Sequence, residues 1–116
     1  MKLYIAIHDD VPDDMAPLVV AHTILMADIR FSGCTIPVVG WVAPFPLYDE
    51  WFDTSFRKCI VRVNSKEFAK ISAIPYTCLG HEATVRDKQY CCAIPSPVLD
   101  KDLPNVLKFA KLWKPK

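Results

Sequence analysis

No run of apolar residues in this chain of 116 approaches the roughly 18 that a membrane-spanning helix needs. Met1-Lys2-Leu3 leads into no long apolar stretch ahead of a small-residue cleavage site, so neither a signal peptide nor a membrane partner is expected. The expected location is cytoplasmic. The sequence also lacks any Cys-x-x-Cys pair or zinc-type cysteine–histidine spacing, and its five cysteines are an odd count. Reduced thiols are therefore expected rather than a disulfide framework, with no metal and no cofactor. There is no internal repeat and no low-complexity tract. Disorder is excluded as well, because 52% of the residues are apolar and only 23% charged. A chain of this length buries roughly two thirds of its unfolded surface in one core, which leaves no room for a separate catalytic domain. One domain spanning residues 1–116 is expected.

The net charge of +1 conceals an asymmetry. Residues 1–56 hold two basic residues against eight acidic ones, a net −6, whereas residues 57–116 hold twelve against five, a net +7. Two accounts stand. The halves face opposite ways and orient the molecule toward a charged partner, or they interleave in one sheet as two solvated surfaces, which is the favoured account.

Leu3–Ile7 is a continuous apolar run that suits a central strand buried on both faces, ending at the polar tip His8-Asp9-Asp10. A helix is expected from Met15, with Pro17 in its first turn, Asp13 and Asp14 beside its positive end, and Gly33 as its stop. Leu18, His22, Leu25 and Ile29 form one stripe and Val20, Ile24, Ala27 and Phe31 another, so the helix should be deeply packed. Residues 34–56, rich in proline and aromatics, read as an extended piece at Ile36–Val42 and then a loop. Arg57–Val63 alternates as a half-exposed strand, and Asn64-Ser65-Lys66-Glu67 resembles a capping box for a short helix ending before Pro75. Glu82–Arg86 and Gln89–Ile94 read as two strands joined by a tight turn at Asp87-Lys88. Asp100 or Asp102 caps a last helix, with Pro104 in its first turn and Leu103, Val106, Leu107 and Ala110 facing inward. This order predicts an α/β domain with a small mixed β-sheet packed with helices.

Three separated segments agree in order with one known family. The first strand leads to Asp10 and a helix containing Ala21-His22. Tyr90-Cys91-Cys92-Ala93-Ile94-Pro95-Ser96-Pro97 precedes a helix ending Lys111-Leu112-Trp113, and Asp87 follows Thr84-Val85-Arg86. In these segments the chain resembles the type 2 peptidyl-tRNA hydrolase-like fold family. The resemblance implies that family's fold and, with its activity, hydrolysis of the ester between a peptide and tRNA, with His22, Asp10 and Asp87 as the surviving catalytic residues. Two departures point elsewhere. The family's Gly- and Lys-rich first turn is here Val11-Pro12-Asp13-Asp14-Met15-Ala16, which with Asp9 and Asp10 repels phosphate. Its long loop with glycine, arginine and threonine after the third strand is missing, since Asp87 runs through Lys88 straight into the next strand. Asp10-Val11-Pro12 is more similar to relatives of no known activity. The expectation is thus a divergent, non-hydrolytic relative that acts by binding, with peptidyl-tRNA hydrolysis as the alternative.

Each candidate residue has a second account. His22 with Asp10 and Asp87 suits general acid–base work at neutral pH, and equally a buried neutral imidazole held by a hydrogen bond, the expected case. Cys91 and Cys92 should be inert core residues, and Cys34 exposed. His8, Asp9, Asp10, Asp13 and Asp14 could take a hard cation, but the glycine-centred calcium spacing is missing and solvation of a helix start accounts for them better. Trp41, Phe45, Tyr48, Trp51 and Phe52 are hot-spot residue types that could equally lie over the sheet as a lid of core. Flanking Asp49, Glu50 and Asp53 favour a basic protein partner over nucleic acid. If the segment is a hot spot, Trp41→Ala or Trp51→Ala weakens partner capture by more than about 1 kcal/mol with the fold intact. Lys101, Lys108, Lys111, Lys114 and Lys116 accompany no RNA-binding signature and read as a solvated surface, so tRNA is the disfavoured partner. A homo-oligomer is left open.

Overall fold

The computed structural model describes residues 1–32, 45–85 and 89–115. A five-stranded mixed sheet is built from β1 (Leu3–His8), β2 (Lys58–Val63), β3 (Thr77–His81), β4 (Tyr90–Pro95) and β5 (Lys111–Leu112), in the order β3-β4-β1-β2-β5. β1 and β2 run parallel, and every other neighbouring pair is antiparallel. Parallel neighbours need a crossover. Here it consists of α1 (Ala16–Phe31) and α2 (Pro46–Asp53), while α3 (Ser65–Ser72) follows β2 and the single-turn α4 (Asn105–Lys108) precedes β5.

The period of two along β1 assigns its side chains to two layers. Leu3, Ile5 and Ile7 join Val19, Ala27 and Phe31 of α1 and Tyr48 and Trp51 of α2 in one core. Ala6 joins Val61, Val63, Phe68, Ile71 and Leu107 in the other, beneath α3 and α4. The continuous apolar run thus is a central strand. In β4, Cys91, Cys92, Ala93 and Ile94 are fully buried, as expected of sheet interior. The capping box of α3 forms as the sequence suggests: the Asn64 side chain accepts from the Glu67 amide at 2.8 Å, and the Glu67 carboxylate accepts from the Asn64 amide at 3.0 Å.

Four elements differ from expectation. The expected loop before β2 holds the helix α2, whose start at Pro46 fits because a first helical turn tolerates a residue without an N–H. The strand expected at Glu82–Arg86 lies earlier, at Thr77–His81; Gly80 in its interior hid it, and residues 83–85 form a turn. The last helix ends at Lys108, and Lys111–Leu112 instead pair with Arg62 and Val61 as an edge strand. In α1 the buried residues are Ala16, Val19, Thr23, Ala27 and Phe31, whereas Leu18 and Leu25 are exposed and His22 is about half exposed. A helix apolar on all sides gives periodicity nothing to select. The Gly33 stop, the extended piece Ile36–Val42 and the Asp87-Lys88 turn lie outside the described residues.

Candidate functional site

Thr23 fixes how α1 sits on the sheet. Its buried hydroxyl donates to the Val19 carbonyl at 2.8 Å and also interacts with the Cys92 side chain of β4. Its side chain lies directly over Gly80 of β3, where a Cβ would meet Thr23 Cβ at 2.8 Å and Cγ2 at 2.9 Å. That close approach carries the adjacent His22 toward the residue just beyond β3. His22 Nδ1 lies 3.4 Å from Glu82 Oε2, with 48% of the histidine side chain exposed and 15% of the glutamate. The Thr84 hydroxyl donates to Glu82 Oε1 at 2.9 Å and its amide at 3.4 Å. These hydrogen bonds, with a smaller contribution from His22, hold the Glu82 carboxyl below its usual range. A carboxylate oriented in this way can fix the orientation of an imidazole, the arrangement that acid–base chemistry uses.

Glu82 thus stands where the sequence suggested Asp10 or Asp87. Asp10 is exposed beyond β1, where its amide donates to His8 Nδ1 at 3.0 Å and its carboxylate lies 3.7 Å from the same nitrogen. Asp87 lies outside the described residues. His8, read as part of a polar tip, is 2% exposed and packs edge-on against Phe68 at 5.4 Å. Because Nδ1 accepts an amide hydrogen, Nε2 carries the ring proton and donates to Ser65 Oγ at 2.9 Å. Ligand atoms of His8, Asp9 and Asp10 lie within 4.8 Å of one another. Both ring nitrogens are engaged within the fold, however, so the cluster is a strand end tied to α3. Asp13 pairs with Arg62 at 2.6 Å, and the Arg62 guanidinium stacks over Trp113 at 5.3 Å.

The aromatic segment divides between core and surface. Tyr48 and Trp51 are 3% and 1% exposed. The Tyr48 hydroxyl donates to Asp28 Oδ1 at 2.7 Å, and burial together with that bond holds the phenol well above its ordinary range. The Trp51 indole donates to the Arg57 carbonyl at 2.7 Å. Phe45 is half-buried against Phe31 and Tyr76, at 5.5 and 5.2 Å. Trp41 lies outside the described residues. Trp51 is therefore a core residue, and the expectation that its truncation leaves the fold intact is corrected. Phe52 remains 50% exposed, edge-on at 5.3 Å to Phe56, which is itself 49% exposed and which the sequence did not single out. A separate apolar groove of about 320 Å³ runs between α1 and the β2–β5 edge, with Val20, Ile60 and Trp113 in its walls.

Among the described residues the thiols offer no nucleophile at this site. Cys59, Cys78, Cys91 and Cys92 are not joined in disulfides, and Cys34 lies outside the described residues. Burial pushes the Cys92 thiol up to about 12 and raises that of Cys78, the latter against the pull of Arg30 at 3.6 Å. All five cysteines should therefore titrate in denaturant without reductant, while Cys78, Cys91 and Cys92 resist alkylation in the native protein. An intact mass revealing a linked pair, or rapid native labelling of Cys92, contradicts this.

Sequence reasoning missed Glu82 as the partner of His22, because no local pattern ties a helix residue to one so far along the chain. The signal available was Gly80, since a glycine inside a strand marks close approach of another element. No protein-family model and no curated protein matches this chain.

Proposed function

We propose that this protein is a divergent, non-hydrolytic member of the type 2 peptidyl-tRNA hydrolase-like fold, which works in the cytoplasm by binding a protein partner. The observation that carries this is the exposed aromatic pair Phe52–Phe56 on a segment rimmed by the exposed acids Asp49, Glu50 and Asp53. Paired, half-exposed aromatics are anchor chemistry for protein interfaces. The acids beyond β1 support the same reading: Asp9 and Asp10 are 43% and 67% exposed where a tRNA hydrolase needs cations to gather phosphates.

Peptidyl-tRNA hydrolysis is the second reading, favoured by the His22–Glu82 contact, which presents a carboxylate-oriented imidazole at the surface. One experiment separates the two. Mixed tRNA is titrated at two salt concentrations and peptidyl-tRNA cleavage is measured beside a buffer control. The expected affinity is weaker than a Kd of roughly 10⁻⁶ M at physiological salt, the non-specific range, with no cleavage above the control. Sub-micromolar, salt-sensitive binding with turnover lost in His22→Ala, Glu82→Gln or Asp87→Ala would establish the hydrolase instead.

A further inference from the structure

We infer that the exposed face of α2 receives a lysine- or arginine-rich segment of the partner, a conclusion that rests on the binding function proposed above. Asp49 precedes Phe52 by one helical turn, so carboxylate and ring share a face, and Asp53 lies one turn after Asp49 on the same side. Among the described residues no cation pairs with Asp49, Glu50 or Asp53. The placement of Asp53 works against the helix itself, whereas Asp49, in the first turn, sits at the favourable end of the dipole. Like charges four residues apart repel, and Asp53, the last residue of α2, sits at the negative end of the dipole. A carboxylate that the helix would be more stable without, set beside an exposed ring, is a local conflict of the kind that marks a binding surface. A bound cation would relieve it.

The molecule holds a small example of the same chemistry next door. Lys58 Nζ stands 3.2 Å from the centre of the Phe56 ring and donates to the Phe56 carbonyl at 2.8 Å. One aromatic face of the pair thus already carries an ammonium, while the Phe52 ring, exposed beside three acids, carries none among the described residues. An aromatic face with adjacent carboxylates suits a cationic side chain by ring quadrupole and charge together. A phosphate-bearing partner is repelled by the same three acids, which excludes nucleic acid at this face.

The test titrates the full chain with a short oligolysine peptide, with oligoglutamate as the control, and follows backbone amide shifts by NMR. Oligolysine should shift residues 49–56 and bind about tenfold more weakly to Phe52→Ala, a loss typical of a hot-spot anchor. Asp49→Asn and Asp53→Asn should both weaken binding, and Asp53→Asn should at the same time raise the melting temperature of the free protein, opposite movements that a merely structural role would not produce. Shifts centred on Asp9, Asp10 and Asp14, or affinity unchanged in Phe52→Ala, overturn the inference. If a purified partner binds through Phe52 and Phe56 but oligolysine does not bind, the cationic assignment falls and the binding function stands. If the chain associates with itself through Phe52 and ignores oligolysine, the face belongs to a second copy and the inference again falls.

Discussion

Trp51→Ala should cost roughly 4 kcal/mol of folding stability, the range for emptying a large aromatic site in a core. Three losses combine. The indole is 1% exposed and packs against Tyr48 at 5.4 Å and Phe56 at 5.3 Å, so its removal leaves a cavity lined by groups that cannot all collapse into it. Its N–H donates to the Arg57 carbonyl at 2.7 Å, and that carbonyl would lose one of its two donors at the entry to β2, keeping the Leu3 amide at 2.9 Å. The Lys58 ammonium, 5.4 Å from the indole centre, would lose part of its aromatic surface. Domains of this size are stable by about 5 to 15 kcal/mol, so the variant would be marginal at best. Trp51→Phe keeps most of the packing and should cost less than half as much. Urea denaturation followed by far-ultraviolet circular dichroism measures both, and a Trp51→Ala loss below about 1 kcal/mol would mean that the indole is not core. Capture assays on Trp51 variants would therefore report unfolding, which is why Phe52 is the residue to change when binding is tested.

What the sequence made legible depended on how local the deciding physics was. β1 is identified by five consecutive apolar residues, and α3 by Asn64 and Glu67 three positions apart, patterns that act within one element. The α/β order follows from the same local signals. The inward face of α1 was illegible because Leu18 and Leu25 are as apolar as Val19 and Ala27, and the choice among them is made by β3. A threonine is buried there and a histidine is not, since Thr23 is small enough to lie on Gly80 and satisfies its own hydroxyl. α2 was hidden by its composition, for proline and aromatics argue against helix until Pro46 is placed in the first turn. Lys111–Leu112 continue the alternation of polar and apolar residues that also suits a helix end, and only the free side of β2 decides for a strand. The site shared this limitation: His22 was visible as a candidate, but its carboxylate was set by packing between elements distant in sequence.

Gly80→Ala tests that packing directly. The added methyl would land on Thr23 Oγ1, with Thr23 Cβ and Cγ2 both within 2.9 Å, so either α1 lifts from the sheet or β3 bends away. Neither movement is easy. Thr23 is fully buried, and β3 is already irregular between Gly80 and His81, where its pairing with β4 shifts from Cys92 to Tyr90. Overpacking of this kind costs roughly 3 kcal/mol. Thr23→Ala on its own should cost only about 1 kcal/mol, because the hydroxyl donates within its own helix and its contact outside the helix is with the Cys92 thiol, a weak hydrogen-bonding group. In the double variant Thr23→Ala/Gly80→Ala, two of the three clashing atoms are gone and only the Cβ of residue 23, at 2.8 Å, still has to move, so the strain is smaller. Its loss should then be at least about 1 kcal/mol smaller than the sum of the single losses, a coupling that residues in contact show and distant ones do not. Urea titrations of the four proteins give this cycle. Additive losses, or a Gly80→Ala protein as stable as its parent, would mean that α1 does not rest on β3 at this point. Because the same contact carries His22 to Glu82, it would also remove the basis for a pre-formed His22–Glu82 pair.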